Sequence, residues 1–337
     1  MPTKYSIFFI IGFLLISMAN AQNKNGLKVS KSYHIASAGG WDYISVNKGR
    51  LYVSHGTQVN ILDEATGDSL GFIANTNGVH GIAFNNQLNR GYTSNGRSNN
   101  VSVFDLSTNE VLAQIATGEN PDAIMFEPFT KKIITNNGRS KNLSVIDPQT
   151  NKVIATIDVG GKPEEATSDN AGTLFVNIED KNEVAVIDLK TFKVVNRWSL
   201  LSGTAPTGLT LDKVTKRLFS TCSDSKLLVI LDATNGKIVD KLPIGDGCDG
   251  IAFDLKSKTI FTSNGEGTIT IIKEDSANSF KVVGNIATKK GARTIAIDQN
   301  NHTLFLPAAD YEAPEPHAPA NARRKMIPGS FQILVVQ

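Results

Sequence analysis

Cysteines, aromatic residues and an excess of charge of one sign are all scarce in this sequence. Only two cysteines occur in 337 residues, which excludes a scaffold held together by many disulfides. The formal net charge is +2, so there is no electrostatic case for binding nucleic acid or an acidic membrane surface. Aromatic residues make up 7% of the chain. A composition poor in aromatics and rich in Val, Ile, Thr, Asn and Gly suits many short strands joined by tight turns.

Catalytic signatures are also missing. The sequence has no GxSxG elbow, no CxxC pair, no P-loop and no Rossmann glycine fingerprint. This absence does not exclude an enzyme, since catalysis can also depend on a metal ion or a histidine that no such motif marks.

The one long apolar run lies at the N-terminus. Lys4 precedes an apolar stretch from Ile7 to Ile16, and Ala19-Asn20-Ala21 stands before Gln22. This is the pattern of a secretory signal peptide, and the run is too short for a membrane span, which needs about 20 residues. We therefore expect residues 1–21 to be cleaved and the rest to be periplasmic or secreted, without membrane insertion.

The remainder of the chain is organised by a repeat. The stretch NVSVFD at 100–105 returns as NLSVID at 142–147 and EVAVID at 183–188. Its final aspartate recurs roughly every 42 residues, a period that indicates a repeat architecture. These aspartates are Asp63, Asp105, Asp147, Asp188 and Asp232. Each follows a strand, so we expect a structural role in which the carboxylate accepts N–H groups of the next turn.

Each repeat contains four short apolar segments separated by turn signals, which is typical of propeller blades. Seven second strands align, from Tyr52-Val-Ser-His55 to Phe305-Leu-Pro-Ala308. The sequence therefore predicts an all-β domain over residues 22–337, a seven-bladed β-propeller with four-stranded antiparallel blades. The last blade has only three strands of its own, so residues 27–36 are expected to supply the fourth and close the ring. A proline-rich insertion at 309–330 is expected to lie over the channel mouth.

On these repeats the chain resembles the YVTN-repeat β-propeller family, and within it the exported YncE-like proteins. The resemblance covers nearly all of the chain after residue 21, including the proline-rich run before the final strand. It implies the propeller fold, but it does not imply one function, because propellers host many unrelated activities. Some YncE-like proteins are reported to bind single-stranded DNA.

The second residue of each first strand should lie at the channel mouth. These seven residues are Asp42, His80, Asp122, Glu164, Thr207, Asp249 and Arg293. They could simply line a wet channel, or they could bind a cation or another small polar ligand. Further candidates for ligand binding are the strand-end amides Asn95, Asn137 and Asn264 and the loop residues Arg97 and Arg139. A monomeric binding module for a small polar ligand or a protein partner is the first functional hypothesis.

A metal site is the alternative. His55, His80, Asp122, Glu164 and His317 carry side chains that suit Zn²⁺ or Cu²⁺, although no spacing motif supports them. With such a metal the protein would be a hydrolase or lyase of the lactonase-like kind.

Two other possibilities remain open from the sequence. Cys222 and Cys248 could form a disulfide in an exported protein, or stay free for a soft-metal or redox role. Arg97 and Arg139, with Arg293 and residues 323–325, could form a cationic rim for nucleic acid, with Trp41 and Tyr311 placed to stack on bases. The acidic residues of the ring argue against that third function.

The predicted export can be tested directly. Expression of the full chain in a bacterium should yield a periplasmic or secreted protein whose first residue, by N-terminal sequencing, is Gln22. Recovery of the uncleaved chain from the membrane fraction would contradict the prediction.

Overall fold

The computed structural model describes residues 26–37, 39–313 and 325–337. Its strands form seven four-stranded antiparallel sheets, as predicted. The described residues contain no α-helix, and one 3-10 turn spans Glu179–Lys181. No helix of the described chain is long and apolar enough to cross a membrane. The predicted signal peptide, residues 1–21, lies outside the described residues.

In the first six blades the strands run in chain order from the axis outwards, and in blade seven the outermost strand comes from the N-terminal end of the described chain. The first strands are Trp41–Asn47, Val79–Asn85, Pro121–Glu127, Pro163–Ser168, Pro206–Asp212, Cys248–Asp254 and Ala296–Ile297. The second strands are Arg50–His55, Arg90–Asn95, Lys132–Asn137, Thr173–Ile178, Arg217–Cys222, Thr259–Asn264 and Leu304–Ala308. The third strands are Gln58–Asp63, Asn100–Asp105, Asn142–Asp147, Glu183–Asp188, Leu227–Asp232, Thr268–Ser276 and Gln332–Val336. The fourth strands are Ser69–Ile73, Val111–Ala116, Lys152–Asp158, Lys193–Ser199, Ile238–Pro243, Ser279–Ala287 and, for blade seven, Val29–His34.

The first strands surround the axis. Each of them contacts the first strand of the next blade, and the first strand of blade seven contacts that of blade one. At this last junction the Thr294 hydroxyl donates a hydrogen bond to the Asp42 carbonyl at 2.6 Å. The seven sheets therefore form a closed ring, with the starts of all first strands at one end of the axis.

Ring closure uses the N-terminal strand, as predicted. Val29–His34 pairs antiparallel with Gln332–Val336 and completes the sheet of blade seven. Two backbone hydrogen bonds between Lys28 and Gln337 extend the pairing beyond the strand. The two ends of the described chain thus lie in one sheet, where each terminal strand is paired with the other.

The core lies between the blades. In blades four and five, for example, Phe175, Trp198 and Leu209 belong to one buried apolar cluster to which both sheets contribute. Such clusters need apolar residues on both faces of the middle strands, which explains why the second and third strands are almost continuously buried. Burial of apolar area at these interfaces is the main term that holds neighbouring blades together.

The repeated aspartates at the ends of the third strands have the predicted structural role. Their carboxylates accept backbone N–H groups from the following turn at 2.7 to 2.9 Å in the first five blades. These bonds favour the ionised form and lower the pKa of Asp63, Asp105, Asp147 and Asp188. The spacing of about 42 residues between these aspartates therefore reflects a turn that recurs at the same place in successive blades.

The proline-rich insertion lies between the second and third strands of blade seven, as the sequence predicts. Its stem is a short ladder in which Tyr311 pairs with Met326, and the Lys289 side chain binds Asp310 at 2.6 Å. Tyr311 contacts Trp41, the first residue of blade one, with ring centroids 6.0 Å apart. The stem therefore stands at the rim of the channel mouth, and residues 314–324 lie outside the described residues.

Deletion of the closing strand tests this architecture. A chain that starts at Ser37 leaves the outer edge of the third strand of blade seven unpaired. Its melting temperature should therefore fall by more than 10 °C, on the scale of about 2–4 °C per kcal/mol for domains of this size. Circular dichroism melts provide the measurement. A chain that starts at Gly26 retains the strand and is the matched control, and equal melting temperatures for the two chains would contradict ring closure.

Candidate functional site

The starts of the first strands surround one cavity of about 300 Å³. Its lining contains all seven residues of the predicted ring together with three that the sequence did not indicate. The lining residues are Asp42, Tyr43, His80, Asp122, Lys162, Glu164, Glu179, Thr207, Asp249 and Arg293. The structure therefore brings the predicted positions together, while their role in binding stays a prediction.

A repeated backbone irregularity turns the second residue of each first strand towards the axis. In the first six blades the pairing between first and second strands shifts register directly after the opening residue. The opening residue pairs with the last residue of the second strand, as in Trp41 with His55 and Pro121 with Asn137. A bulge of this kind redirects the side chain that follows it.

Polar side chains at the next-to-last position of the second strand hold this backbone in place. The Ser94 hydroxyl accepts the Gly81 N–H at 2.9 Å and donates to the Asp122 carbonyl of the next blade. The Asn177 amide donates to the Thr207 carbonyl at 2.9 Å. Equivalent bonds run from Asn136 to the Glu164 carbonyl and from Ser263 to the Arg293 carbonyl. These positions recur in the sequence, yet their role becomes apparent only once the neighbouring blade is in place.

On one side of the cavity, charged groups form a continuous chain. Arg293 lies between Asp249 and Asp42, with 3.4 Å from its Nη2 to Asp42 Oδ1. His80 Nδ1 lies 2.6 Å from Asp42 Oδ2 and 3.7 Å from Asp122 Oδ1. The opposite ring edge faces Gly96, where a Cβ would come within 2.7 Å of His80 Nε2. That close approach orients Nδ1 towards the two carboxylates.

On the other side, Lys162 lies between two glutamates of blade four. Its Nζ is 2.6 Å from Glu164 Oε1 and also contacts Glu179. Lys162 precedes the first strand of this blade, and Glu179 lies in the 3-10 turn after the second strand. Only blade four has these two residues in its connections, so the repeat pattern did not reveal them.

Negative groups outnumber positive ones around the cavity. Burial raises the pKa of Asp122 to about 6, with the charge of His80 acting against it. Burial also raises the pKa of Glu164 to about 8 and that of the adjacent Glu165 to about 7, and nearby carboxylates reinforce both shifts. Burial would lower the pKa of His80, but the hydrogen bond to Asp42 and the charge of Asp122 outweigh it and raise that pKa. The cavity therefore favours added positive charge.

His55 is not part of this site, although the sequence placed it beside His80. Its Nδ1 is 2.6 Å from the Ser37 hydroxyl and its Nε2 is 2.8 Å from the Gly39 carbonyl. The ring is fully buried and lies 4.1 Å from that of Phe331, centroid to centroid. Both ring nitrogens are thus engaged in anchoring the segment that follows the closing strand. His317 lies outside the described residues.

The strand-end amides Asn95, Asn137 and Asn264 do not line the cavity either. Each is fully buried and donates from its amide nitrogen to two side chains of its own hairpin, for example from Asn95 to Asn100 and Ser102 at 2.8 Å. The other two repeat this arrangement with their own third strands. They are structural residues of the blades, because the last residue of a second strand faces the neighbouring strand rather than the axis.

The disulfide predicted as one possibility for Cys222 and Cys248 is absent. Both thiols are free and buried. They belong to two different apolar clusters, Cys222 with Phe175 between blades four and five and Cys248 with Phe253 between blades five and six. Burial raises the pKa of each thiol to about 12, which disfavours the reactive thiolate form.

Arg97 and Arg139 lie in the loops between second and third strands and are exposed. They stand on the same face as the cavity but are not among its lining residues. Arg323 and Arg324 of the proposed cationic rim lie outside the described residues. Trp41 and Tyr311 contact each other, and Trp41 also packs against Phe331 at 5.1 Å between ring centroids.

Comparison with known proteins supports the fold. No family model matches the chain, and no curated protein sequence matches it. Among solved structures, the chain is similar to Kuenenia stuttgartiensis hydrazine synthase, with a TM-score of 0.71 and 17% sequence identity over 81% of this chain and 94% of that chain. That neighbour contains a seven-bladed β-propeller. At this identity the likeness shows the fold alone, and by fold the present chain is a seven-bladed β-propeller.

The raised carboxyl pKa values predict how stability depends on pH. A carboxyl whose pKa is raised by folding keeps its proton at pH values where the unfolded chain has released it. Its contribution to stability is therefore complete below the pKa of the unfolded state and is lost as pH rises through the pKa of the folded state. For Glu165 that window runs from 4.5 to about 7. The free energy of unfolding should therefore fall by about 1–3 kcal/mol across it.

Urea unfolding at a series of pH values measures this slope, with metal ions chelated. Glu165→Gln should flatten it, and Glu110→Gln, which changes an exposed turn residue, is the matched control. A wild-type stability that rises with pH across this window would contradict the assignment.

Proposed function

We propose that this protein is an exported binding module of the YVTN-repeat, YncE-like type, and that it takes a small, positively charged polar ligand in the cavity at its channel mouth. This proposal is based on the excess of carboxyl groups around the cavity. Asp42, Asp122, Asp249, Glu164 and Glu179 line it, against the fixed cations Lys162 and Arg293.

The dimensions of the cavity favour a small ligand over the surface of a partner protein. Its volume of about 300 Å³ is at the lower end of the range of small-molecule sites. The side chains of Glu164, Asp42 and Asp122 are only 12%, 16% and 18% exposed. A flat protein surface would not reach these carboxyls, whereas a small molecule or ion can.

The distribution of charge indicates where positive charge is lacking. Arg293 and His80 together compensate Asp249 and Asp42. Lys162 contacts both Glu164 and Glu179 and is also the fixed cation that acts on Asp122. Without a ligand, these carboxyls reduce their mutual repulsion by retaining protons. A bound cation would replace those protons and gain from the low exposure of the site.

The same charge distribution disfavours the other functions considered from the sequence. An anionic ligand such as a nucleic-acid phosphate would be repelled by the cavity carboxylates. The loop residues Arg97 and Arg139 lie outside the lining, and no pair of an activated nucleophile and its base is formed by the lining residues. Binding without catalysis is therefore the simplest use of this geometry.

Calorimetric titration tests the proposal. Small protonated amines, from ethylammonium to agmatine, should bind at pH 7.5, whereas the matched neutral alcohols should not. Asp122→Asn or Glu164→Gln should weaken amine binding at least tenfold, which corresponds to about 1.4 kcal/mol.

Glu119→Gln removes an exposed carboxyl of the same face and should leave the affinity unchanged. Preferential binding of carboxylates or phosphates, or amine binding that ignores Asp122→Asn, would contradict the proposal.

A further inference from the structure

Three donor groups from consecutive blades converge at one edge of the cavity. Asp42 of blade one, His80 of blade two and Asp122 of blade three each offer one ligand atom, and these atoms all lie within 4.8 Å of one another. In residues 26–37, 39–313 and 325–337, no other group of three histidine, cysteine or carboxylate side chains meets this criterion. We infer that these three residues form a binding site for a divalent transition-metal ion, an inference that rests on the proposed function because it specifies the cation.

The distances suit a single ion after small side-chain movements. His80 Nδ1 is 2.6 Å from Asp42 Oδ2 and 3.7 Å from Asp122 Oδ1. A Zn²⁺ ion binds imidazole nitrogen and carboxylate oxygen at about 2.0–2.2 Å. Two ligands of one tetrahedral ion are then about 3.4 Å apart. The Asp42 oxygen must move away from Nδ1 by less than 1 Å, and the Asp122 oxygen needs only a small rotation.

The charge around the site also suits a divalent ion. Neutral His80 with two carboxylates carries two negative charges, which one such ion neutralises. The remaining groups of the ring compensate each other in pairs, Arg293 with Asp249 and Lys162 with Glu164. In the metal-free protein a proton on His80 Nδ1, donated to Asp42 and close to Asp122, occupies the position that the ion would take.

The ligands are held by neighbours of the kind that support metal sites. The Asp42 N–H donates to the Ser54 hydroxyl at 3.1 Å, and the Ser94 hydroxyl donates to the Asp122 carbonyl. Arg293 Nη2 lies 3.4 Å from Asp42 Oδ1, the oxygen that does not face His80. Outer groups that fix ligand orientation contribute measurably to metal affinity.

Mixed nitrogen and oxygen ligands favour Zn²⁺, Cu²⁺ or Co²⁺ over Ca²⁺ or Mg²⁺, which prefer oxygen alone. Three protein ligands leave at least one position open to the cavity. The ligand set differs from that predicted from the sequence, because Asp42 takes part while His55 is engaged elsewhere. The site therefore has the form of an exchangeable metal site in contact with a small-molecule cavity.

Metal titration of the chelator-treated full chain tests the inference. Co²⁺ should bind with one equivalent and give visible absorption bands of a nitrogen- and oxygen-ligated ion. Zn²⁺ should compete for the same equivalent. His80→Ala and Asp122→Asn should each lower the affinity at least tenfold. His302→Ala removes a histidine that pairs with one carboxylate, Asp254, at 3.1 Å, and it should leave the affinity unchanged.

Nitrogen NMR of the wild-type protein gives a result that does not depend on how the variants fold. Among its five histidines, Zn²⁺ should shift the ring nitrogens of His80 and leave those of His55 unchanged. Failure to bind Co²⁺ or Zn²⁺, or binding that both variants retain, would overturn the metal site. Amine binding would then still support the proposed cavity, whereas loss of amine and metal binding together would reject both.

Discussion

The N-terminal strand Val29–His34 pairs with the C-terminal strand Gln332–Val336, and through this pairing seven separate sheets form a ring. Without it blade seven would lack its outer strand and retain only three, of which the innermost, Ala296–Ile297, has two residues. That blade carries Arg293, which links Asp249 of blade six to Asp42 of blade one. The charged groups at the channel mouth therefore depend on contacts made at the outer edge of the sheet.

The first strands converge around one axis, and this brings side chains of like charge close together. Each blade contributes one side chain to the mouth, and four of these seven are acidic: Asp42, Asp122, Glu164 and Asp249. Such like-charged groups raise one another's pKa values when they are withdrawn from water. Packing between the blades overcomes this repulsion, so the fold maintains a cavity that is short of positive charge. The same groups account for the pH dependence, the preference for cations and the inferred metal site.

The sequence predicted the blades and the ring because both follow from repetition. The aspartate at the end of the third strand marks a turn that the first five blades share. One equivalent position per blade, at the start of the first strand, identified the seven residues of the predicted ring. The sequence was less informative for residues whose position depends on contacts with another blade or on a connection that does not repeat. His55 and His80 both lie at strand ends in the sequence. In the structure His55 contacts Ser37 and Gly39 of the segment after the closing strand, whereas His80 follows the backbone irregularity of its first strand and lines the cavity. Lys162 and Glu179 lie in connections particular to blade four. Cys222 and Cys248 belong to apolar clusters on opposite sides of blade five, which keeps the two thiols apart.

Carboxyl ¹³C NMR titration of the chelator-treated protein tests the central claim most directly, because it reports the protonation of individual Asp and Glu side chains. We expect three carboxyls, assigned through Asp122→Asn, Glu164→Gln and Glu165→Gln, to titrate near 6, 8 and 7. A bound cation should shift these titrations to lower pH. If every carboxyl of the metal-free protein titrated below pH 5, the cations already present would compensate these carboxylates. The cavity would then not lack positive charge, and the proposed preference for cations would be wrong.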